Sequence, residues 1–192
     1  MTLSLPIDPE ANALLARSPL AVLMAVLLDQ QVPMERAFSA PYDLTQRLGH
    51  EPTAEELAGY DPEALTAVFS ERPALHRYPR AMAARVQDLA RMIAADYDGD
   101  AERIWRDADS GQSLLKRVGA LPGFGPYKAQ IFVALLGKQF GVRPEGWRAA
   151  AGAFGAEGVF HSVADIEDDE SLGKVRAHKQ EMKAAAKARA RA

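Results

Sequence analysis

Apolar side chains recur along the chain at the three- and four-residue spacing of helices, and no stretch keeps the two-residue period of a strand for long. A nearly continuous apolar run, 20–28, follows Ser18 and Pro19, a cap and first-turn pair typical of a helix start. This run predicts a buried helix that ends in polar residues near Gln31. A second apolar stripe predicts a long helix over 79–97. The pattern therefore predicts an all-α protein.

Shorter elements fill the rest of a single predicted domain. Residues 1–12 are expected to form an irregular arm, because two prolines interrupt them. A further helix is predicted from Pro33, and two short helices are predicted within 41–71. Thr53 followed by Glu56 matches the capping box that starts many helices.

The most informative segment is 113–137, SLLKRVGALPGFGPYKAQIFVALLG. Its centre, 121–126, cannot continue a helix, because the two prolines lack N–H donors and the two glycines permit positive φ. The segment therefore predicts two helices joined by a tight hairpin. Gly123 and Gly125 would expose backbone N–H groups beside the positive end of a helix dipole, which suits a phosphate and reads no base. A plain turn between helices is the alternative.

Gln30 and Gln31 place two amides at the end of the apolar run. An amide donates and accepts hydrogen bonds, so it can fill the space of a flipped base and bond to the base left behind. The alternative is a pair of ordinary solvent-facing glutamines.

Charge is distributed unevenly along the chain. The net charge of −3 over 192 residues does not favour a nucleic-acid partner. Residues 173–192, however, hold seven Lys or Arg against the single acid Glu181, which gives this tail +6 and leaves −9 elsewhere. A basic C-terminal helix over 172–192 can add phosphate affinity, while a merely solvated helix is the alternative.

The chain contains no cysteine. Disulfides, thiolate metal sites and a cysteine nucleophile are therefore excluded. No secretory signal is recognisable, and the run 20–28 is too short to span a membrane. We expect a cytoplasmic protein without a membrane partner.

The string LPGFGPYKAQIF at 121–132 resembles the helix-hairpin-helix of the HhH-GPD superfamily, which includes endonuclease III, the adenine glycosylases and the alkyl-base glycosylases. The stretches 27–38 and 76–100 resemble two earlier helices of that family, in the same order and spacing. The resemblance covers about 13–147. It implies the HhH-GPD DNA glycosylase fold, with two helical lobes and the hairpin at their junction. It also implies a monomeric, nucleoid-associated hydrolase of base excision repair that binds double-stranded DNA.

The resemblance assigns roles to particular positions. Gln31 matches the glutamine that enters the DNA, and Gln30 is its neighbour. Further DNA contacts are expected at the hairpin and the start of the next helix: Leu121, Gly123, Phe124, Gly125 and Lys128. The iron–sulfur cluster of many relatives is excluded, because its four cysteines are absent. No cofactor is expected, and the resemblance leaves room only for a monovalent cation at the hairpin.

Relatives that cut the strand carry a lysine two residues after the second hairpin glycine. Tyr127 holds that position here, as in the monofunctional mismatch-specific thymine glycosylases. Lys128 lies roughly 100° further round the helix, so it is expected to point away from the pocket and to contact phosphate. The sequence therefore predicts no lyase activity.

The essential acid of the family lies about 20 residues after the second hairpin glycine, which corresponds to Glu145. Its surroundings lack the usual context, so Glu145 is either a catalytic carboxylate beside Tyr127 or a turn residue of an inactive site. The predicted function is a monofunctional DNA glycosylase. The alternatives are a catalytically silent DNA-binding relative and a helical protein-interaction module.

Overall fold

A computed structural model describes residues 3–189 and confirms the all-α prediction, because no strand occurs within that range. The α-helices are α1 (Pro9–Arg17), α2 (Pro19–Leu28), α3 (Met34–Leu48), α4 (Ala54–Gly59), α5 (Pro62–Ser70), α6 (Pro79–Asp96), α7 (Arg103–Arg106), α8 (Gly111–Gly119), α9 (Pro126–Gln139), α10 (Trp147–Ala150) and α11 (Asp169–Arg189). Two short 3-10 helices, Gly152–Gly155 and Val163–Asp165, lie between α10 and α11.

Local capping explains several of these helix starts. The Ser18 side chain accepts a hydrogen bond from the N–H of Ala21, and Pro19 occupies the first turn of α2. Thr53 accepts from the N–H of Glu56 at 3.1 Å and begins α4. These caps satisfy donors that a helix end otherwise leaves unpaired.

The N-terminal segment differs from the irregular arm that the sequence suggests. Its described part contains the start of α1, where the Asp8 side chain accepts from the N–H of Glu10 at 2.7 Å. Before that helix, Leu5 is buried and exchanges two hydrogen bonds with the Asn12 side chain. Pro9 starts α1 instead of preventing it, because a first-turn proline loses no helical hydrogen bond. Residues 1–2 of the predicted arm lie outside the described range.

The helices form two groups that share one core. In the first group, α4 and α5 pack on α6, and α2 packs on α3. In the second, α9 packs against α8, α10 and both 3-10 helices. Side chains from both groups belong to one buried cluster, and every residue of α2 from Ala21 to Leu28 is buried within it. The end of α2 thereby reaches the hairpin between α8 and α9.

Helix α11 begins at Asp169, slightly before the predicted basic helix, whose residues 190–192 lie outside the described range. Only Ser171, Leu172 and Val175 of this helix are buried. An ion pair between Arg176 and Glu35 ties it to α3. The rest of α11 extends over the surface with its basic side chains exposed.

Within residues 3–189, no single helix has both the length and the apolar character needed to cross a membrane. Among these described helices, α1 and α2 have that length and apolar character only when they are taken together, and they meet at a bend of 115°.

Candidate active site

The hairpin between α8 and α9 is anchored in the core. Leu121 and Phe124 are buried, and the Phe124 ring meets Phe132 edge-on at a centroid distance of 5.8 Å. Gly123 has φ +82°, and a Cβ at this position would clash with Cδ1 of the fully buried Leu27. Glycine alone meets both conditions without strain. The hairpin is therefore fixed against the end of α2.

The start of α9 leaves backbone donors free. No side chain caps this helix. Within the described part of the chain, the N–H groups of Gly123, Gly125, Tyr127 and Lys128 have no protein acceptor. Free N–H groups at the positive end of a helix dipole form an anion site. Because Leu121 and Phe124 are buried, these two residues offer a ligand only their backbone.

The two predicted amides follow α2 and differ in their surroundings. The Gln30 side chain is held in place, because its Nε2 donates to the Leu27 carbonyl at 2.8 Å and its Oε1 accepts from Arg85 at 2.7 Å. Gln31 is exposed and has φ +57°, a left-handed conformation that is uncommon outside glycine. Its Oε1 accepts a hydrogen bond from the Tyr78 hydroxyl at 3.3 Å. Gln31 is thus the amide that faces outward.

Buried His76 contacts the backbone of the loop that carries Gln30 and Gln31. Its Nε2 donates to the Gln30 carbonyl at 2.9 Å, and its Nδ1 accepts from the N–H of Tyr78 at 3.0 Å. Burial lowers the pKa of His76, which keeps the ring neutral as this arrangement requires.

A cleft of about 280 Å³ lies beside the amide loop. Its walls come from the end of α2, the start of α9, the second 3-10 helix and α11. The lining residues are Val26, Asp29, Gln30, Gln31, Tyr127, Lys128, Ile131, His161, Ser162, Val163, Lys179 and Lys183. Among residues 3–189, no group of three or more His, Asp and Glu side chains is arranged to hold a metal ion.

Lys128 does not point away from the pocket as the sequence predicted. It lines the cleft together with Tyr127, and its Nζ donates to the Leu27 carbonyl at 2.9 Å. Burial lowers the pKa of Lys128, while the nearby Asp29 opposes that shift. The offset of about 100° from Tyr127 does not direct Lys128 away from the cleft, because its ammonium group donates to a carbonyl at the end of α2 that has no helical partner.

Tyr127 stands at the mouth of the cleft, with 68% of its surface exposed. A row of aromatic rings extends from it. The Phe154 ring meets Tyr127 edge-on at 5.0 Å between centroids, and His161 meets Phe154 edge-on at 6.5 Å. His161 then stacks on His178 of α11 at 4.3 Å. These rings join the start of α9 to the helix that closes the cleft.

Glu145 lies outside the cleft, in an exposed turn. Its carbonyl accepts from the N–H of Gly111 at 2.7 Å. Two residues later, Trp147 packs against Gly137, near the far end of α9. That contact is ten residues from Tyr127, or about 15 Å along the helix. The return loop therefore docks Glu145 near the start of α8, and the expected pairing of Glu145 with Tyr127 does not occur.

Asp29 supplies a carboxylate that sequence reasoning missed. Within the described residues it is the only acidic side chain that lines the cleft, and its carboxylate has no hydrogen bond or ion pair there. Burial raises the pKa of Asp29, and Glu35 adds to that shift, whereas Lys179 and Lys128 oppose it. The available signal was an acid directly after a buried apolar helix and directly before two amides.

A model of the HhH-GPD superfamily of base excision DNA repair proteins matches residues 24–191, well over half of the chain. The chain belongs to the HhH-GPD superfamily. No curated protein and no solved structure gives a significant match. Membership confirms the resemblance carried by the hairpin, the HhH-GPD fold and a role in base excision DNA repair, and it implies that the protein binds DNA.

Proposed function

We propose that this HhH-GPD protein is a monofunctional DNA glycosylase, which hydrolyses the N-glycosidic bond of a damaged or mismatched base in duplex DNA. The observation that carries the proposal is that outward-facing Gln31 and the start of α9 border the same cleft. A duplex held by the hairpin would thus present a nucleotide beside a cavity of about 280 Å³. The cavity is close to the size of small ligand pockets.

Phosphate binding by the hairpin provides the first step. The free N–H groups at Gly123 and Gly125 would hold one strand without reading its sequence. Gln31 would then enter the helix in place of the extruded nucleotide. Its left-handed backbone costs on the order of 1–3 kcal/mol, a strain that is characteristic of functional positions.

The cleft offers suitable surroundings for a base. Val26, Ile131 and Val163 supply apolar wall, and Tyr127 supplies an aromatic ring at the mouth. Ser162 adds a hydroxyl. Apolar walls with a few polar groups are typical of pockets that orient a small planar ligand.

The reaction breaks the bond between C1′ of the sugar and the base nitrogen, and the electron pair leaves with the base. A water oxygen bonds to C1′, and its proton is released. The strand stays intact, and the product is an abasic site that hot alkali cleaves.

The test is single-turnover excision on duplexes that each carry one lesion or mismatch. We expect strand cleavage of at least one duplex after alkali and none before it, with the undamaged duplex unchanged. Duplex binding that weakens steeply with salt, combined with no excision across the panel, would instead support the catalytically silent relative. Absence of duplex binding would support the protein-interaction module.

A bifunctional glycosylase and lyase is a second candidate, favoured by the position of Lys128 in the cleft. Its amine would bond to C1′, displace the base and form a Schiff base before the strand is cut. Borohydride reduction with abasic duplex tests this reaction. A covalent adduct that disappears in Lys128→Ala would establish the lyase, and absence of any adduct supports simple hydrolysis.

A further inference from the structure

The carboxylate of Asp29 has no role in holding the fold together. The backbone N–H of Asp29 caps α2 by donating to the Ala25 and Val26 carbonyls, which almost any residue could do. The side chain pairs with nothing among residues 3–189. Its negative charge also sits at the C-terminal end of a helix, where the dipole disfavours it. A partly buried, unpaired and unfavourably placed acid indicates a functional position.

The surroundings of Asp29 match a site for developing positive charge. It lines the cleft with Tyr127 and Gln31, next to the place where an extruded nucleotide would enter. Lys128 and Lys179 lie close enough to favour its ionised form, yet neither forms an ion pair with it. Glu145, by contrast, lies in an exposed turn outside the cleft.

We propose that Asp29 is the catalytic carboxylate of this protein. The inference rests on the proposed glycosylase function and deepens it. As the C1′–nitrogen bond breaks, the ionised carboxylate stabilises the positive charge on the sugar. It then accepts a proton from the water that bonds to C1′ and passes that proton to solvent. No other reactant is needed, and the base leaves with the bonding electron pair.

Two abasic-site duplexes test this inference without knowledge of the natural base. One carries a pyrrolidine ring, which is cationic at neutral pH and imitates the charged sugar. The other carries a neutral tetrahydrofuran ring of nearly the same shape. We expect the wild-type protein to bind the pyrrolidine duplex at least about tenfold more tightly, because an enzyme binds the charged transition state better than the neutral ground state.

Asp29→Asn keeps the shape of the side chain and removes its charge. We expect the variant to lose the preference for the pyrrolidine duplex while its affinity for the tetrahydrofuran duplex and its melting temperature are maintained. Glu35→Gln is the matched control, since Glu35 carries a nearby charge but pairs with Arg176 outside the cleft. The control should keep the preference of the wild-type protein.

The outcomes separate the two proposals. A wild-type preference that persists in Asp29→Asn overturns the role of Asp29 and leaves the glycosylase function standing. A wild-type protein without any preference, together with no excision in the lesion panel, overturns the glycosylase function and the inference that rests on it. Loss of the preference in Asp29→Asn, with the control unchanged, supports both.

Discussion

Two glycines of the hairpin have different physical roles, although the sequence presents them as a pair. Gly123 has positive φ and touches Leu27, whereas Gly125 has φ −70° and open space where a Cβ would lie. The first glycine is needed by the fold. The second keeps the surface bare where a phosphate would approach the backbone.

Substitution by alanine should therefore separate the two roles. Gly125→Ala should fold with unchanged stability and bind all duplex sequences more weakly, because its methyl group would meet the phosphate. Gly123→Ala should lose roughly 1–2 kcal/mol of unfolding free energy from backbone strain alone, with the Leu27 clash in addition. Thermal unfolding and duplex titration measure both effects. Equal DNA affinity for Gly125→Ala and the wild-type protein would contradict the phosphate site.

His76 should make stability depend on pH. Because burial lowers its pKa in the folded state, the unfolded chain binds more protons at pH values below about 6.5. Its stabilising contribution is thus present above pH 6.5 and is lost as pH falls through the lower folded-state pKa. We expect His76→Gln to weaken this acid-side decline in a series of denaturant unfolding curves. A decline of the same size in the variant would assign it to other groups.

At the scale of elements, α11 is held at one end and basic along its exposed length. Val175, Lys179 and Lys183 follow at intervals of four residues and therefore lie on one side of α11. Val175 packs this side against the protein, and the two lysines continue it toward the C-terminal end of the helix. Both lysines line the cleft. We expect them to contact the phosphates of a DNA strand that passes over the cleft.

Removing those two lysines should weaken DNA binding and flatten its salt dependence. Lys179→Ala combined with Lys183→Ala should lower the slope of log affinity against log salt by about 1.8, if each lysine contacts one phosphate. Lys174→Ala combined with Lys187→Ala removes the same charge from positions of α11 that do not line the cleft. An equal change of slope in both double variants would contradict phosphate contacts by Lys179 and Lys183.

Local rules predicted most of the helices, because their signals lie within a few residues. Caps at Ser18 and Thr53 and the glycines and prolines of the hairpin act over one or two turns. Helix α1 was missed because Pro9 was interpreted as a breaker, although it occupies a first turn.

The site was predicted less completely, because it depends on distant contacts. Lys128 turns toward a carbonyl 101 positions earlier in the chain. Glu145 is directed elsewhere by the packing of Trp147 on Gly137. Asp29 becomes a cleft residue only when α9 and α11 enclose it. Such placements follow from tertiary packing, and for Lys128 and Glu145 no local pattern in the sequence indicates them.

At the scale of the whole molecule, the proposed function depends on both helix groups meeting at the cleft. The first group supplies Asp29 and Gln31 after α2, the second supplies Tyr127 and Lys128, and α11 adds Lys179 and Lys183. The overall charge of −3 does not oppose DNA binding, since Lys179 and Lys183 of α11 lie at the cleft and charges act over short distances in salt.

The most direct measurement is whether a nucleotide leaves the duplex when the protein binds. A duplex with 2-aminopurine in a mismatch becomes more fluorescent when that base unstacks, and a mismatched base is the easiest to extrude. We predict a rise in fluorescence that saturates with protein binding and is lost in Gln31→Ala, while anisotropy shows that the variant still binds. Saturated binding by the wild-type protein without any rise in fluorescence, across several mismatches, would contradict extrusion of a nucleotide by this protein.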